Sequence, residues 1–370
     1  MRPQKLLYPF ALIYGTAAAL RRWLYRIGLL EAYQAPIPTI GVGNLSVGGT
    51  GKTPHVEYLI RLLSNQYKIA TLSRGYKRKT KGFALANDIN PQQLSAELIG
   101  DEPLQFYTKF PHIKVAVDEK RKDGIQRLLQ RFPDLQCIIL DDCYQHLQVK
   151  PNLNILITEY QHPYAKDYPL PAGNLREFRS AARYADVVIV SKCPVDMTEA
   201  QRSEMAQLLN LQASQQLFCT TMQYGDLQAV NECAKKQLLT TQNECGNHRQ
   251  QTSQTEVVLL TAIAHPEPLV KYLSDNFRII HHYRFPDHHY FSPQEIEEIH
   301  FRFFSENSEN RVLVTTEKDS MRLIYSNIYK KLEDIPLFVQ PIESKFLFQG
   351  EEHFFHILAH NSIISLNFAR

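Results

Sequence analysis

The first half of the chain alternates short apolar runs with amphipathic stretches. Runs at Thr39–Val42, Lys68–Leu72, Ile113–Val117, Cys137–Leu140, Asn154–Thr158 and Val187–Val190 have the length and composition of buried strands. Between them, 53–65, 101–109, 119–131 and 198–210 read as helices, the first placing Val56, Leu59, Ile60 and Leu63 on one face. Such alternation predicts a mainly parallel sheet with helices on both faces. From 225 to 256 the pattern dissolves into Gln, Asn, Thr and Lys, which reads as a polar connector or hairpin excursion. A second series follows: strand Val257–Thr261, helix 266–274, strand 277–282, helix 293–304, strands Val312–Thr315 and Pro336–Val339, and a helix near 351–359. The expected fold class is α/β, with a three-layer α/β/α sandwich over 31–224 and a second, smaller α/β lobe over 257–370. Two such lobes leave a cleft suited to two substrates.

The N-terminus, 1–30, stands apart. Leu6 to Leu20 is uncharged but interrupted by Pro9 and Gly15, and Arg2, Lys5, Arg21, Arg22 and Arg26 flank it. A spanning helix needs about 20 apolar residues, so this run is short. Ala17-Ala18-Ala19 resembles a signal-peptide cleavage site, but a nucleotide loop following so closely would find no nucleotide outside the cytosol. An interfacial helix fits, with Tyr14, Trp23 and Tyr25 at headgroup depth and arginines toward anionic lipid; a core-packed first helix is the alternative. Over 370 residues the formal charge is only +3, too small to imply a nucleic-acid partner. The six cysteines form no C-x-x-C pair, and Cys137 and Cys193 lie in or beside apolar strands, which points to reduced thiols rather than disulfides or zinc.

Gly41 to Pro54 carries the strongest chemical signal. A strand runs into Ser46-Val47-Gly48-Gly49-Thr50-Gly51-Lys52-Thr53, and a helix follows. This is a phosphate-binding loop: backbone amides and a helix N-terminus face the phosphates, Lys52 adds charge and the Thr53 hydroxyl reaches Mg²⁺. Ser46 stands where the general pattern has glycine. The apolar strand at 137–140 ends in Asp141-Asp142, which reads as the Mg²⁺-holding acids of such a protein or as strand-end turn chemistry. Gly100-Asp101-Glu102-Pro103 opens a helix, as an acidic cap or as a carboxylate that accepts a hydroxyl proton. Arg74 follows a strand, where it can grip phosphate or lipid headgroups or belong to a solvated basic loop. Gly173-Asn174-Leu175-Arg176-Glu177 is another polar turn, Phe285 to Tyr290 packs Asp287, His288 and His289 among aromatics, and Thr315 to Asp319 joins a strand to a helix.

Taken in order, these segments resemble the tetraacyldisaccharide 4′-kinase (lipid A 4′-kinase) family of Gram-negative bacteria. The matching pieces are Leu-Leu-Tyr-Pro…Leu-Arg-Arg-Trp-Leu-Tyr, the loop from Val42 to Pro54, Leu-Ser-Arg-Gly-Tyr, Gly-Asp-Glu-Pro, Leu-Asp-Asp-Cys-Tyr-Gln-His, Pro-Ala-Gly-Asn-Leu-Arg-Glu, Phe-Pro-Asp-His-His and Thr-Glu-Lys-Asp. The family loop has a small hydroxyl residue at the place of Ser46. Cys143-Tyr144 stands where Gly-Phe is frequent, and His265 where asparagine is usual before Pro266.

The resemblance implies a P-loop NTPase-like core with a β-hairpin linker at 225–256. It implies transfer of the ATP γ-phosphate to the 4′-hydroxyl of a tetraacyldisaccharide 1-phosphate, at the cytoplasmic face of the inner membrane, with ATP and Mg²⁺ as cofactors. Partners would be the lipid A disaccharide precursor and the anionic inner-leaflet surface, with the protein a monomer. By the resemblance Lys52 and Thr53 hold phosphates and Mg²⁺, Asp141, Asp142 and Glu102 serve the metal, and Asp101 is the base oriented by His288. Arg74, Asn174 and Arg176 fall to the substrate. Two rivals stay open: a membrane-associated nucleotide switch, for which Ser191-Lys192-Cys193-Pro194 is a faint base-reading loop, and a soluble small-molecule kinase.

Overall fold

The computed structural model describes residues 7–237, 255–305, 310–361 and 363. Its strands are β1 (Thr39–Asn44), β2 (Ile69–Ser73), β3 (Ala84–Leu85), β4 (Lys114–Val117), β5 (Cys137–Asp141), β6 (Leu153–Glu159), β7 (Val187–Ser191), β8 (Gln216–Tyr224), β9 (Gln228–Ala229), β10 (Glu256–Thr261), β11 (Arg278–Arg284), β12 (Arg311–Thr316), β13 (Leu337–Gln340) and β14 (Ile342–Phe346). The helices used below are α1 (Tyr8–Arg26), α2 (Lys52–Ser64), α3 (Ala96–Ile99), α4 (Asp101–Lys109), α5 (Arg121–Arg131), α6 (Glu199–Leu209), α7 (Glu267–Asn276), α8 (Pro293–Phe304), α9 (Glu317–Ile324) and α10 (Gly350–His360).

Nine strands form the first sheet in the order β14-β8-β7-β6-β1-β5-β2-β4-β3, parallel except for β3 and β14 at its two edges. Every residue of β1, β2, β5 and β7 is buried, as their continuous apolar runs require of strands covered on both faces. One face packs on α2, whose Val56, Leu59, Ile60 and Leu63 all enter the core, and the other on α5. The second sheet runs β11-β10-β12-β13-β9, with only β9 antiparallel.

The boundary between the lobes differs from the reading of 225–256 as a hairpin and 257–370 as one lobe. β9 already belongs to the second sheet, and residues 238–254 lie outside the described part. After β13 the chain passes Pro341, returns as β14 beside β8, and ends with α10 packed on the first lobe. The two crossings touch: the Gly225 amide donates to the Pro341 carbonyl (3.1 Å) and Gln340 Nε2 to the Gly225 carbonyl (2.6 Å). The link is therefore an antiparallel pair whose strands are far apart in sequence, so no local turn announces it.

Helix α1 buries only Ala11, Gly15 and Arg22, while Phe10, Ile13, Leu20 and Trp23 face solvent. That is not a core-packed first helix. No described helix is long and apolar enough to cross a membrane.

Phe354 of α10 is 1% exposed and stacks among Tyr58, Phe218 and Phe346 of the first lobe. Phe354→Ala is expected to destabilise the fold by about 3–5 kcal/mol. A urea midpoint unchanged from wild type would show that this helix does not complete the first core.

Candidate active site

The phosphate loop sits at the carboxyl end of β1, in the middle of the first sheet, where open α/β sheets gather ligands. Gly48 (φ +109°) and Gly51 (φ +82°) take left-handed conformations that other residues rarely adopt, and Gly51 starts α2. Gly49 does not need such a φ; it faces open space. The loop is held from behind. Asn44 Nδ2 donates to Thr50 Oγ1 (2.8 Å), Ser191 Oγ to the Thr50 carbonyl (2.8 Å) and Lys192 Nζ to the Gly49 carbonyl (2.7 Å). His55, buried, donates from Nδ1 to the Gly51 carbonyl (2.7 Å) and turns Nε2 toward Thr220 Oγ1 (2.9 Å).

The strands bring Asp141 and Asp142 beside the loop because β5 pairs with β1, Val42 opposite Asp141. Asp142 takes φ +47° and turns its carboxylate to Lys52 Nζ (3.4 Å) and Arg176 Nη1 (3.0 Å). Burial opposes its charge, but Lys52 and Arg176 outweigh it and hold Asp142 down to about 2. Asp141 has the opposite balance: burial, then the charge of Asp142, push it up to about 7. Its side chain accepts only a long bond from Ser73 Oγ (3.3 Å), while the buried Arg121 donates to its main-chain carbonyl (3.1 Å).

Across the cleft the second lobe supplies His288, whose Nδ1 donates to Asp101 Oδ2 (2.7 Å). Lys318 Nζ lies 3.0 Å from His288 Nε2; an ammonium can only donate, so Nε2 keeps the lone pair and Nδ1 the proton. Asp101 also accepts from Arg322 Nε (3.1 Å) and Nη2 (2.7 Å). Although burial works against it, these bonds from His288 and Arg322 hold Asp101 down to about 2. Asp101 is buried behind His288 and does not line the cleft, whereas His288, Glu102, Asp287 and Lys318 do. The dyad is thus brought together as expected, with the imidazole rather than the carboxylate in front.

One cleft of about 1440 Å³ is lined by Val47 to Thr53, Arg74, Glu102, Asp141, Asp142, Arg176 and His288 together, more than a single small ligand needs. Besides Asp101, two assigned residues do not line it. Ser46 forms a bridge to Leu175, and Asn174 bonds Asp167 through its side chain while its carbonyl accepts the Val47 amide (2.8 Å). Both brace the loop from outside, and the Val47 amide is spent on Asn174 rather than left for phosphate.

The comparisons decide what this cleft belongs to. Residues 3–361 match the family model described as Tetraacyldisaccharide-1-P 4′-kinase. The chain belongs to the tetraacyldisaccharide 4′-kinase family. It is 44% identical over 335 residues to the tetraacyldisaccharide 4′-kinase of Flavobacterium johnsoniae, covering 90% of this chain and 92% of that one. It is 41% identical over 351 residues to that of Bacteroides thetaiotaomicron, covering 95% and 91%. The crystal structure of the “apo” form of LpxK from Aquifex aeolicus in complex with ATP matches with TM-score 0.71 and 26% identity, over 97% of this chain and 99% of that chain. The P-loop NTPase-like fold and the ATP-dependent kinase of lipid A biosynthesis are thereby established, and the nucleotide switch is set aside.

Sequence reasoning missed the supporting roles of Arg322, His55, Lys192 and Gln145. The last donates to the Asn44 carbonyl (2.9 Å) and accepts from Arg176 (3.3 Å). Arg322 looks like an ordinary helix residue, and His55, Lys192 and Gln145 sit in or beside quoted motifs but brace the loop through contacts that only the fold brings about.

His55 gives this kinase a measurable pH response. Burial lowers its pKa to about 4, below the 6.5 usual for histidine. Between those values the unfolded chain binds a proton that the folded one refuses, so stability is full above pH 6.5 and falls as the pH drops toward 4. In His55→Gln the loss of stability between pH 7 and 4.5 should be smaller by roughly 2–3 kcal/mol. His146, lowered in the same direction, keeps its own share in both proteins. Urea titrations at the two pH values measure the difference, and equal losses would contradict the assignment.

Proposed function

We propose that the interlobe cleft transfers the ATP γ-phosphate to the 4′-hydroxyl of tetraacyldisaccharide 1-phosphate, with His288 as the proton acceptor and Asp101 as its positioning residue. The observation that carries this is the His288–Asp101 contact facing the same cleft as Lys52. In the transfer, the sugar oxygen bonds to the γ-phosphorus and the bond from that phosphorus to the bridging oxygen breaks. The electron pair leaves with ADP, and the hydroxyl proton passes to His288 Nε2. Asp101 keeps Nδ1 protonated and stabilises the imidazolium that results. Lys52 and the amides at the start of α2 hold the phosphates, and Arg74 and Arg176 meet the anionic groups of the substrates.

The residues present suit Mg²⁺. Burial first, then the charges of Asp142 and Glu102, push Asp141 up to about 7, so a divalent cation beside it would relieve the repulsion between the carboxylates. Among the described residues no three His, Cys, Asp or Glu side chains form a closed metal cluster. Mg²⁺ does not need one, because one or two carboxylates, phosphates and water complete its octahedron. Asp141, Asp142, Thr53 and Glu102 are its candidate holders. When bound, the ion neutralises charge developing on the phosphates.

The acceptor is a lipid, and α1 offers it a surface. Its solvent-facing Phe10, Ile13, Leu20 and Trp23, with Arg21 and Arg26 alongside, suit the anionic cytoplasmic face of the inner membrane. Tyr14, Ala17, Ala18 and Arg21 of the same helix line one end of the cleft, so a lipid lifted there meets the site directly. Both halves of the site come from one chain, which suits a monomer.

Labelled ATP and a tetraacyldisaccharide 1-phosphate should yield a bisphosphorylated lipid. Asp101→Asn should lower kcat by about 10²–10⁴ with little change in the KM for ATP. Equal losses in both would mean that Asp101 only caps α4.

Replacing Phe10 and Ile13 together by aspartate should reduce co-sedimentation with anionic phospholipid vesicles by about tenfold, while activity on detergent-dispersed substrate persists. Unchanged sedimentation would remove α1 from the membrane contact.

A further inference from the structure

The second lobe brings one more charged group to the reaction. Of the described residues that line the cleft from that lobe, Lys318 is the single lysine or arginine. It stands on the first turn of α9, and its ammonium lies 3.0 Å from His288 Nε2, 3.2 Å from Glu102 Oε1 and 3.7 Å from Asp287 Oδ1. Carboxylates from both lobes face this ammonium. Each of these contacts is single, and the side chain is still 24% exposed. An arriving phosphate, bearing more charge than either carboxylate, can compete for it.

The backbone beneath this ammonium is locked while its stem is not. Glu317 accepts from Lys109 Nζ (2.5 Å) and from the Ile342 amide (3.2 Å), Asp319 accepts from the Ala262 amide (2.9 Å), and Arg322 grips Asp101. Residue 318 is therefore held at a fixed place at the cleft rim with a long, flexible arm. That arm rests on the one lone pair of His288 that the acceptor hydroxyl must reach.

We propose that Lys318 is a second catalytic lysine. When ATP binds, its ammonium leaves His288 Nε2 for the γ-phosphoryl oxygens, which supplies charge to the group in transit and uncovers the proton acceptor in one movement. The inference rests on the reading of the cleft and of His288 given above. A loose transition state spreads negative charge over the equatorial oxygens, and cations placed there stabilise it. Lys52 comes from the first lobe and Lys318 from the second, so transfer requires the lobes to be docked.

The test uses the full-length kinase with ATP, Mg²⁺ and detergent-dispersed tetraacyldisaccharide 1-phosphate. Lys318→Met should lower kcat by about 100-fold or more, with the KM for ATP within about threefold. Its affinity for ADP with aluminium fluoride, which imitates the phosphoryl group in transit, should fall by a similar factor while affinity for ADP alone holds. A residue that merely braces the lobes would move both affinities or neither. Lys318→Arg should recover part of the turnover, and Lys318→Gln replaces the methionine variant if that one melts early. Full turnover in the variants, or equal losses for ADP and ADP–aluminium fluoride, would overturn the proposal. A wild-type protein that binds ADP but yields no phosphorylated lipid would instead sink the reading on which it rests.

Discussion

Arg322 and Asp101 form the contact on which the site depends. Both side chains are almost wholly shielded from solvent, the guanidinium on α9 of the second lobe and the carboxylate on the first turn of α4 in the first. Removing one partner of such a pair strands a buried charge, at a cost of about 3–5 kcal/mol, so the pair holds as a unit or not at all. The far end of α4 is tied as well: Lys109 bridges Glu317 (2.5 Å) and Glu57 (2.6 Å). Glu57 lies on α2, the helix that opens with Lys52. Phosphate loop, Asp101–His288 pair and second lobe are therefore joined through one chain of buried charges. Burial pushes the Glu57 carboxyl up even against Lys109, and Arg61 stands 3.7 Å from it as a second cation.

The position of the cleft follows from strand order. β1 lies between β5 and β6, so the loop after β1 and the acids after β5 open at the same edge. β2 lies on the other side of β5 and sends Arg74 to that edge. The second lobe enters through Gly225 and leaves through Pro341, two adjacent points at the β8 margin of the first sheet. Because its only covalent ties are side by side, the lobe is positioned over the cleft mainly by the α4–α9 contacts.

Elements governed by local periodicity were legible in the chain. The run from Thr39 through Lys52 to Leu63 is a strand, a glycine turn and an amphipathic helix in immediate succession, and each step has its own short-range cause. Asp141 and Asp142 were legible because a strand ending in acids needs no distant partner to be noticed. β14 was not read as a strand and the helix near 351–359 was assigned to the second lobe, since their partners β8 and α2 lie more than a hundred residues upstream and no turn joins them. The order within the dyad was equally hidden. Sequence shows that an acid and a histidine are available, but only the placement of Arg322, a helix residue resembling any solvated cation, shows that Asp101 lies behind and His288 in front. Asn174 illustrates the same limit: in a polar turn its side chain and its carbonyl are equally plausible donors of function, and here the carbonyl matters to the loop.

The first helix and the phosphate loop share a support. Arg22, the one buried charge of α1, makes a two-pronged contact with Glu177 at 2.7 Å and donates to the Tyr144 carbonyl (3.0 Å). Glu177 closes the segment in which Asn174 accepts the Val47 amide and the Arg176 amide donates to the Leu45 carbonyl. Arg176 meanwhile reaches Asp142, and Tyr144 follows two residues after that aspartate. A displacement of α1 is thus felt at the loop backbone and at the acid pair without passing through the hydrophobic core. Segment 174–177 is therefore a mechanical joint between the surface proposed to meet the bilayer and the groups proposed to hold ATP. This accounts for why a polar turn beside the cleft is built from such specific residues.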